Sequence, residues 1–200
     1  MKKLLLVGLF SVILTGCSVT LPVSSYVPQN YTRFNGNVEI GEFTYQPFQQ
    51  GKVKSNQMQN TAGGQIFTSS NIADLAKRGT ALELEKTGIR LVDSNVKLSG
   101  AVKEFKMDDL GYSVDWTYII NYTLTSTNTS AVLLNKDYVA DPRKTGKFGL
   151  PIDYANAAND MILSGYNKFI TDPEVRKILE KNNSILKGLL VSRGFFIIVL

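Results

Sequence analysis

The chain has 200 residues, a formal charge of +5, a single cysteine and no histidine. Without histidine, Ser-His-Asp and Cys-His catalysis are excluded, and zinc or copper sites lose their usual ligands. One cysteine allows no intramolecular disulfide, no cofactor is implied, and so mild a charge does not point to nucleic acid.

The first sixteen residues, MKKLLLVGLFSVILTG, have the three parts of an export signal. Lys2 and Lys3 are basic, Leu4 to Leu14 is apolar except for Gly8 and Ser11, and Thr15 and Gly16 are small. As a helix the apolar run would reach roughly 16 Å at about 1.5 Å per residue. A hydrocarbon core is about 30 Å thick, so the run is too short to span it. LTGC, Leu14 to Cys17, resembles the lipobox of bacterial lipoproteins. That resemblance implies diacylglyceryl transfer to the Cys17 sulfur, cleavage between Gly16 and Cys17, and acylation of the new amino terminus. The lone thiol is then an attachment point rather than a redox group. Each buried methylene contributes about 0.8 kcal/mol, and two or more chains anchor stably. Cleavage removes two lysines and no acid, so the formal charge falls from +5 to +3. Ser18 follows the cysteine, where aspartate would imply retention in the inner membrane. By analogy, in a double-membrane organism, Ser18 implies the outer membrane.

Residues 17–37 hold Pro22, Pro28 and several Ser and Asn, and are expected to be a lipidated tether. A domain is expected over 38–181. VEIGEFTY (38–45) alternates as a first strand. Residues 46–68 are rich in Gln, Gly and Asn and predict a long loop, with a short strand near Ile66 and Phe67. Residues 70–87 predict a helix with Ile72, Leu75, Ala76, Gly79 and Leu82 on one stripe. Ser70 or Asn71 can cap its start, and Gly88 stands where a left-handed C-cap is expected.

VKLSGAVKEF (96–105) alternates loosely. YSVDWTYIINYTL (112–124) is the clearest strand, with Tyr112, Val114, Trp116, Tyr118, Ile120, Tyr122 and Leu124 on one face. A turn at 126–130 leads into a returning strand at 131–141. PRKTGKFGLP (142–151) reads as a Pro- and Gly-bounded loop. A helix follows over 152–170, with Asp153 able to cap it and Ala155, Ala158, Ile162, Gly165, Tyr166 and Phe169 on its buried stripe. Asp172 and Pro173 open another helix to 181. The order predicts an α+β fold, an antiparallel sheet of about four strands with two to three helices on one face.

The end of the chain, 182–200, closes with FFIIVL. From Gly188 the stretch is thirteen residues and includes Arg193, too short and interrupted to span a bilayer. A buried edge strand, docking on a membrane or partner, and translation past a frame slip or lost stop codon all account for it.

Three groups have a possible chemistry. Asp108, Asp109 and Asp115 could form the carboxylate pair of a hydrolase, but MDDLG also has the composition of a turn. Arg143, Lys144 and Lys147 could contact an anion such as a lipid headgroup, although RKTGK lacks the pattern of a P-loop. The aromatic series of 112–124 could line a groove, or be core.

The chain resembles small Gram-negative envelope lipoproteins, the YajG-like group and the ABC-type transport auxiliary lipoproteins. The resemblance rests on LTGC, on ALELEKTGIRLV followed by LSGAVKEF, on the strand 112–124, on LLNKDYVAD and on YANAANDMILSGYNKFI. It covers about 65–181. It implies a non-catalytic accessory or binding module of the periplasm, held to the membrane by its N-terminal lipid. An envelope protein or lipid would be its partner, and an envelope transport system its setting. A surface-exposed adhesin and a carboxylate-dependent hydrolase are the alternatives.

Overall fold

The computed structural model describes residues 18–22, 33–34, 36–62 and 64–180. Gly16, Cys17 and the rest of the leader lie outside these residues, as does the apolar tail. The elements are β1 (Ser18–Leu21), β2 (Gly36–Tyr45), α1 (Gln46–Gln49), β3 (Gln57–Asn60), β4 (Gln65–Thr68), α2 (Ile72–Lys86), β5 (Ile89–Leu91), β6 (Val96–Asp108), β7 (Ser113–Ser126), β8 (Val132–Val139), β9 (Arg143–Gly146) and α3 (Pro151–Thr171). A fourth helix, α4, occupies 173–180.

The class is α+β, but the sheet is larger than expected and mixed. It has nine strands among the described residues. β6 and β7 form its antiparallel centre, from Val96 opposite Ser126 to Asp108 opposite Asp115. Along its other edge β6 pairs in parallel with β2 and then β3. β7 pairs with β8 and then β9, both antiparallel. β5 extends β2, and β4 and β1 extend β3.

Two expectations change as a result. RKTG, read as part of a loop, is β9. Ser18–Leu21, inside the stretch read as a tether, is β1, and Leu21 is 1% exposed. Phe34, also in that stretch, is buried, and its N–H donates to Thr87 O at 2.6 Å. Such short strands carry too few residues to show a period. β9 forms because the long β7 presents backbone groups that need a partner, and β1 because pairing with β4 lets Leu21 be buried.

The long strands follow their patterns. β7 buries Val114, Trp116, Tyr118, Ile120, Tyr122 and Leu124, while the residues between them are half-exposed. Helices α2 and α3 cover that face and touch each other. Phe105 packs edge-on against Tyr118, with centroids 5.0 Å apart. Phe169 of α3 lies 4.4 Å from the ring of Tyr122. Such pairs add about 0.5–1.5 kcal/mol beyond area burial. The Tyr122 hydroxyl shares a 2.8 Å hydrogen bond with Thr80 of α2. Burial pushes that phenol far above its ordinary pKa.

Helix α2 buries Ile72, Leu75, Ala76, Gly79, Thr80, Glu83 and Leu84, whereas Leu82 is exposed. At 3.6 residues per turn, ten residues from Ile72 lies about 80° off the stripe and eleven lies about 20° off it. Gly88 ends this helix as expected, at φ +94°. A Cβ there would also meet Phe34 O at 2.7 Å, so both backbone and space require glycine. In α3, Asp153 stands at the third helical position, and its carboxylate accepts from the Leu150 N–H at 2.8 Å. At Gly165 the helix approaches β7 so closely that a Cβ would meet the Tyr118 ring at 2.9 Å.

Candidate functional site

Strand directions define one end of the sheet. β6 and β3 run toward it, ending at Asp108 and Asn60. β7 and β4 leave from it, at Ser113 and Gln65. β1 runs parallel to β4, with Ser18 opposite Gln65, so it also starts there. β9 arrives there at Gly146, opposite Ser113, and α3 begins shortly after. This end gathers the connections 109–112 and 147–150, together with residues 61–62 and 64.

A cleft of about 290 Å³ opens among them. Leu21, Ile66, Met107 and Val114 supply its apolar wall, and Asp109, Lys147 and Tyr154 its polar groups. Ligand pockets usually occupy about 300–1,000 Å³, so this cleft suits at most a small group. Asp109 Oδ1 is shielded from solvent without a hydrogen-bond partner among the described residues. It can accept from a ligand N–H or a water.

The two loops beside the cleft are fastened together. Lys147 Nζ donates to Asp109 O at 2.6 Å and to Gly111 O at 3.3 Å. The Tyr154 hydroxyl reaches Gly146 O at 2.9 Å and Lys147 O at 2.7 Å. Trp116 Nε1 donates to Thr145 Oγ1 at 3.0 Å. Tyr112 and Phe148 border one open depression beside Lys147 and are fully exposed, at 104% and 98%. Leu110 at 70%, Leu150 at 67% and Ile152 at 51%, in or next to the same two connections, are exposed as well.

The expected site residues are placed as follows. Asp108 and Asp115 face each other across the β6–β7 ladder. Asp108 Oδ1 accepts from the Leu110 N–H at 3.3 Å, which is turn geometry. Hydrogen bonds from the Thr61 side chain and the Leu110 backbone hold the Asp108 carboxyl below its ordinary pKa. A general acid needs the opposite shift. Asp115 pairs with Lys144 at 3.1 Å, while Asp109 lines the cleft. Asp108 and Asp115 are cross-strand neighbours that do not line that cleft. No cluster of three or more acidic or cysteine side chains suited to a metal ion occurs among the described residues.

Of the three cations, Arg143 and Lys147 line the depression with Tyr112 and Phe148, and Lys144 does not. Arg143 pairs with Asp160 at 2.5 Å, Lys144 with Asp115, and Lys147 is spent on two carbonyls. Of the aromatic series, Trp116, Tyr118 and Tyr122 are core, but Tyr112 is not. It precedes the first paired residue of β7, so its place in the alternation carries no burial. The exposed cluster of Leu110, Tyr112, Phe148, Leu150 and Ile152 was missed in the sequence. Its available signal was apolar residues inside Gly- and Pro-bounded connections, where no sheet face waits to bury them.

Among the described residues no helix is long and apolar enough to cross a membrane. No known protein family and no curated protein sequence matches this chain. Similarity appears in solved structures. A Xanthomonas campestris protein of the DUF330 family aligns over 88% of this chain and 99% of its own, at 12% identity and a TM-score of 0.50. PelC of Paraburkholderia phytofirmans, a dodecamer, aligns over 71% and 94%, at 13% identity and a TM-score of 0.38. Lipoprotein GNA1162 of Neisseria meningitidis aligns over 66% and 99%, at 10% identity and a TM-score of 0.29. The first of these establishes likeness of fold, and the other two are too distant to carry an argument.

Proposed function

We propose that this chain is a lipid-anchored protein of a bacterial envelope, working as a non-catalytic accessory or binding module. The observation that carries this reading is the leader ending in LTGC, immediately before a strand of the folded body. A cysteine in that setting is an acylation site, at Cys17, with cleavage after Gly16. Ser18 favours the outer membrane, and the resemblance to small envelope lipoproteins favours a body facing the periplasm. The absence of histidine from the chain and the pairing of Asp115 with Lys144 favour binding over catalysis. The small cleft beside β1 is the surface through which a partner of an envelope transport system would be engaged.

Metabolic labelling with radioactive palmitate tests the anchor. The wild-type protein should take up label and Cys17→Ala should take up none. Equal label in both, or none in the wild type, contradicts the reading.

A further inference from the structure

We infer that the sheet end carrying Leu110, Tyr112, Phe148 and Leu150 rests on a lipid bilayer, with the two aromatic rings seated at the headgroup boundary. This inference rests on the lipid-anchor reading above. Ser18 is paired with Gln65 at this same end. Cys17 is the next residue, and neighbouring Cα atoms across a trans peptide are about 3.8 Å apart. With β1 docked, acyl chains on Cys17 have almost no slack, so the membrane lies against this end of the sheet.

The side chains there suit that position. Contiguous apolar surface on a soluble protein marks an interaction site, and aromatic rings favour the membrane–water interface. The cluster is held outward by its own framework. Lys147 bridges the two loops, Tyr154 holds the carbonyls of Gly146 and Lys147, and Asp153 holds Leu150 N–H. Phe148 therefore projects from a braced loop. The contact is apolar insertion rather than headgroup attraction, because Asp160 and Asp115 lie beside Arg143 and Lys144 and offset their charge.

The test uses full-length, acylated protein in vesicles of phosphatidylethanolamine and phosphatidylglycerol. Phe148→Cys and Thr129→Cys variants are labelled with an environment-sensitive fluorophore, and the vesicles carry spin-labelled acyl chains. Thr129 is exposed in the β7–β8 turn, at the opposite end. The label at 148 should be quenched several-fold more than the label at 129, equally at 0.1 M and about 1 M salt, where the Debye length falls to about 3 Å. Equal, weak quenching at both positions in protein whose mass includes acyl chains overturns the inference and leaves the anchor standing. Quenching at 148 that disappears in high salt contradicts apolar insertion. Protein with a bare Cys17 thiol and no quenching removes both claims, whereas a bare thiol with quenching at 148 removes the anchor alone.

Discussion

The two ends of the sheet close in different chemistry. The β7–β8 turn is bound to the segment before β6 by polar groups. Thr127 N–H donates to Asn95 O at 3.0 Å, Thr127 Oγ1 to Ser94 O at 2.7 Å, and Asn128 Nδ2 to Asn95 Oδ1 at 3.2 Å. The exposed apolar side chains around that end, Val92, Val132 and Leu133, include no aromatic ring. The opposite end is braced as firmly, by Lys147 and Tyr154, yet turns Leu110, Tyr112, Phe148 and Leu150 outward. Hydrogen bonding alone would have allowed polar side chains at both ends. The apolar end is therefore built for contact with something other than water.

The comparison requires a rigid sheet between the ends, so the largest expected effect lies in the middle. Phe105→Ala removes a fully buried ring that packs on Tyr118 and Trp116. It should lower stability by about 3–5 kcal/mol, read from urea unfolding. Gly165→Val places a branched side chain against Tyr118 and Ile120. It should lower stability by about 1–3 kcal/mol and shift the near-ultraviolet signal of the buried tyrosines.

Asp172 fastens the α3–α4 junction to β8. Its Oδ2 accepts from Lys136 Nζ at 2.7 Å and Tyr138 OH at 3.0 Å, and its Oδ1 caps α4 through Glu174 N–H at 2.9 Å. Asp172→Ala should lower stability by about 0.5–2 kcal/mol. The hydrogen bond from Lys136 is the main cause of a carboxyl pKa below the ordinary value. A depressed folded-state pKa stabilises above the unfolded value of about 3.9, and that contribution is lost as pH falls through the folded value. The gap between wild type and Asp172→Asn in urea midpoint should thus be full at pH 7 and close progressively below about pH 4.

The smallest effect on stability belongs to the apolar end. Tyr112→Ser, Phe148→Ser and Leu150→Ser should each change unfolding free energy by less than about 0.5 kcal/mol, since these side chains are exposed. Together they should sharply reduce lipid quenching of a label placed at Leu110→Cys. A large loss of stability instead would mean that the cluster is needed by the fold itself, and the contrast between the ends would lose its meaning.

Legibility in the sequence followed length and period. β7 was readable because its fourteen residues alternate against a single core face, and Gly88 because few other residues accept its backbone angle. QMQN and RKTG were not readable as strands, since β3 and β9 are four residues each and take their conformation from β6 and β7. Parallel pairing of β2 with β6 joins segments far apart in the chain and leaves no local mark. Tyr112 misled because alternation reports a face only within a paired strand, and pairing starts one residue later. Leu82 misled because a stripe continued by eye drifts off the helical period. In the candidate site, the three cations drew attention through their charge, yet the structure spends them on Asp160, Asp115 and two carbonyls.

The central claim is that the body is held to a membrane through Cys17, and intact mass of the detergent-extracted protein tests it most directly. The account predicts a chain beginning at Cys17 with the added mass of a diacylglyceryl group and an amide-linked acyl chain. A chain starting after the leader with an unmodified thiol would contradict it.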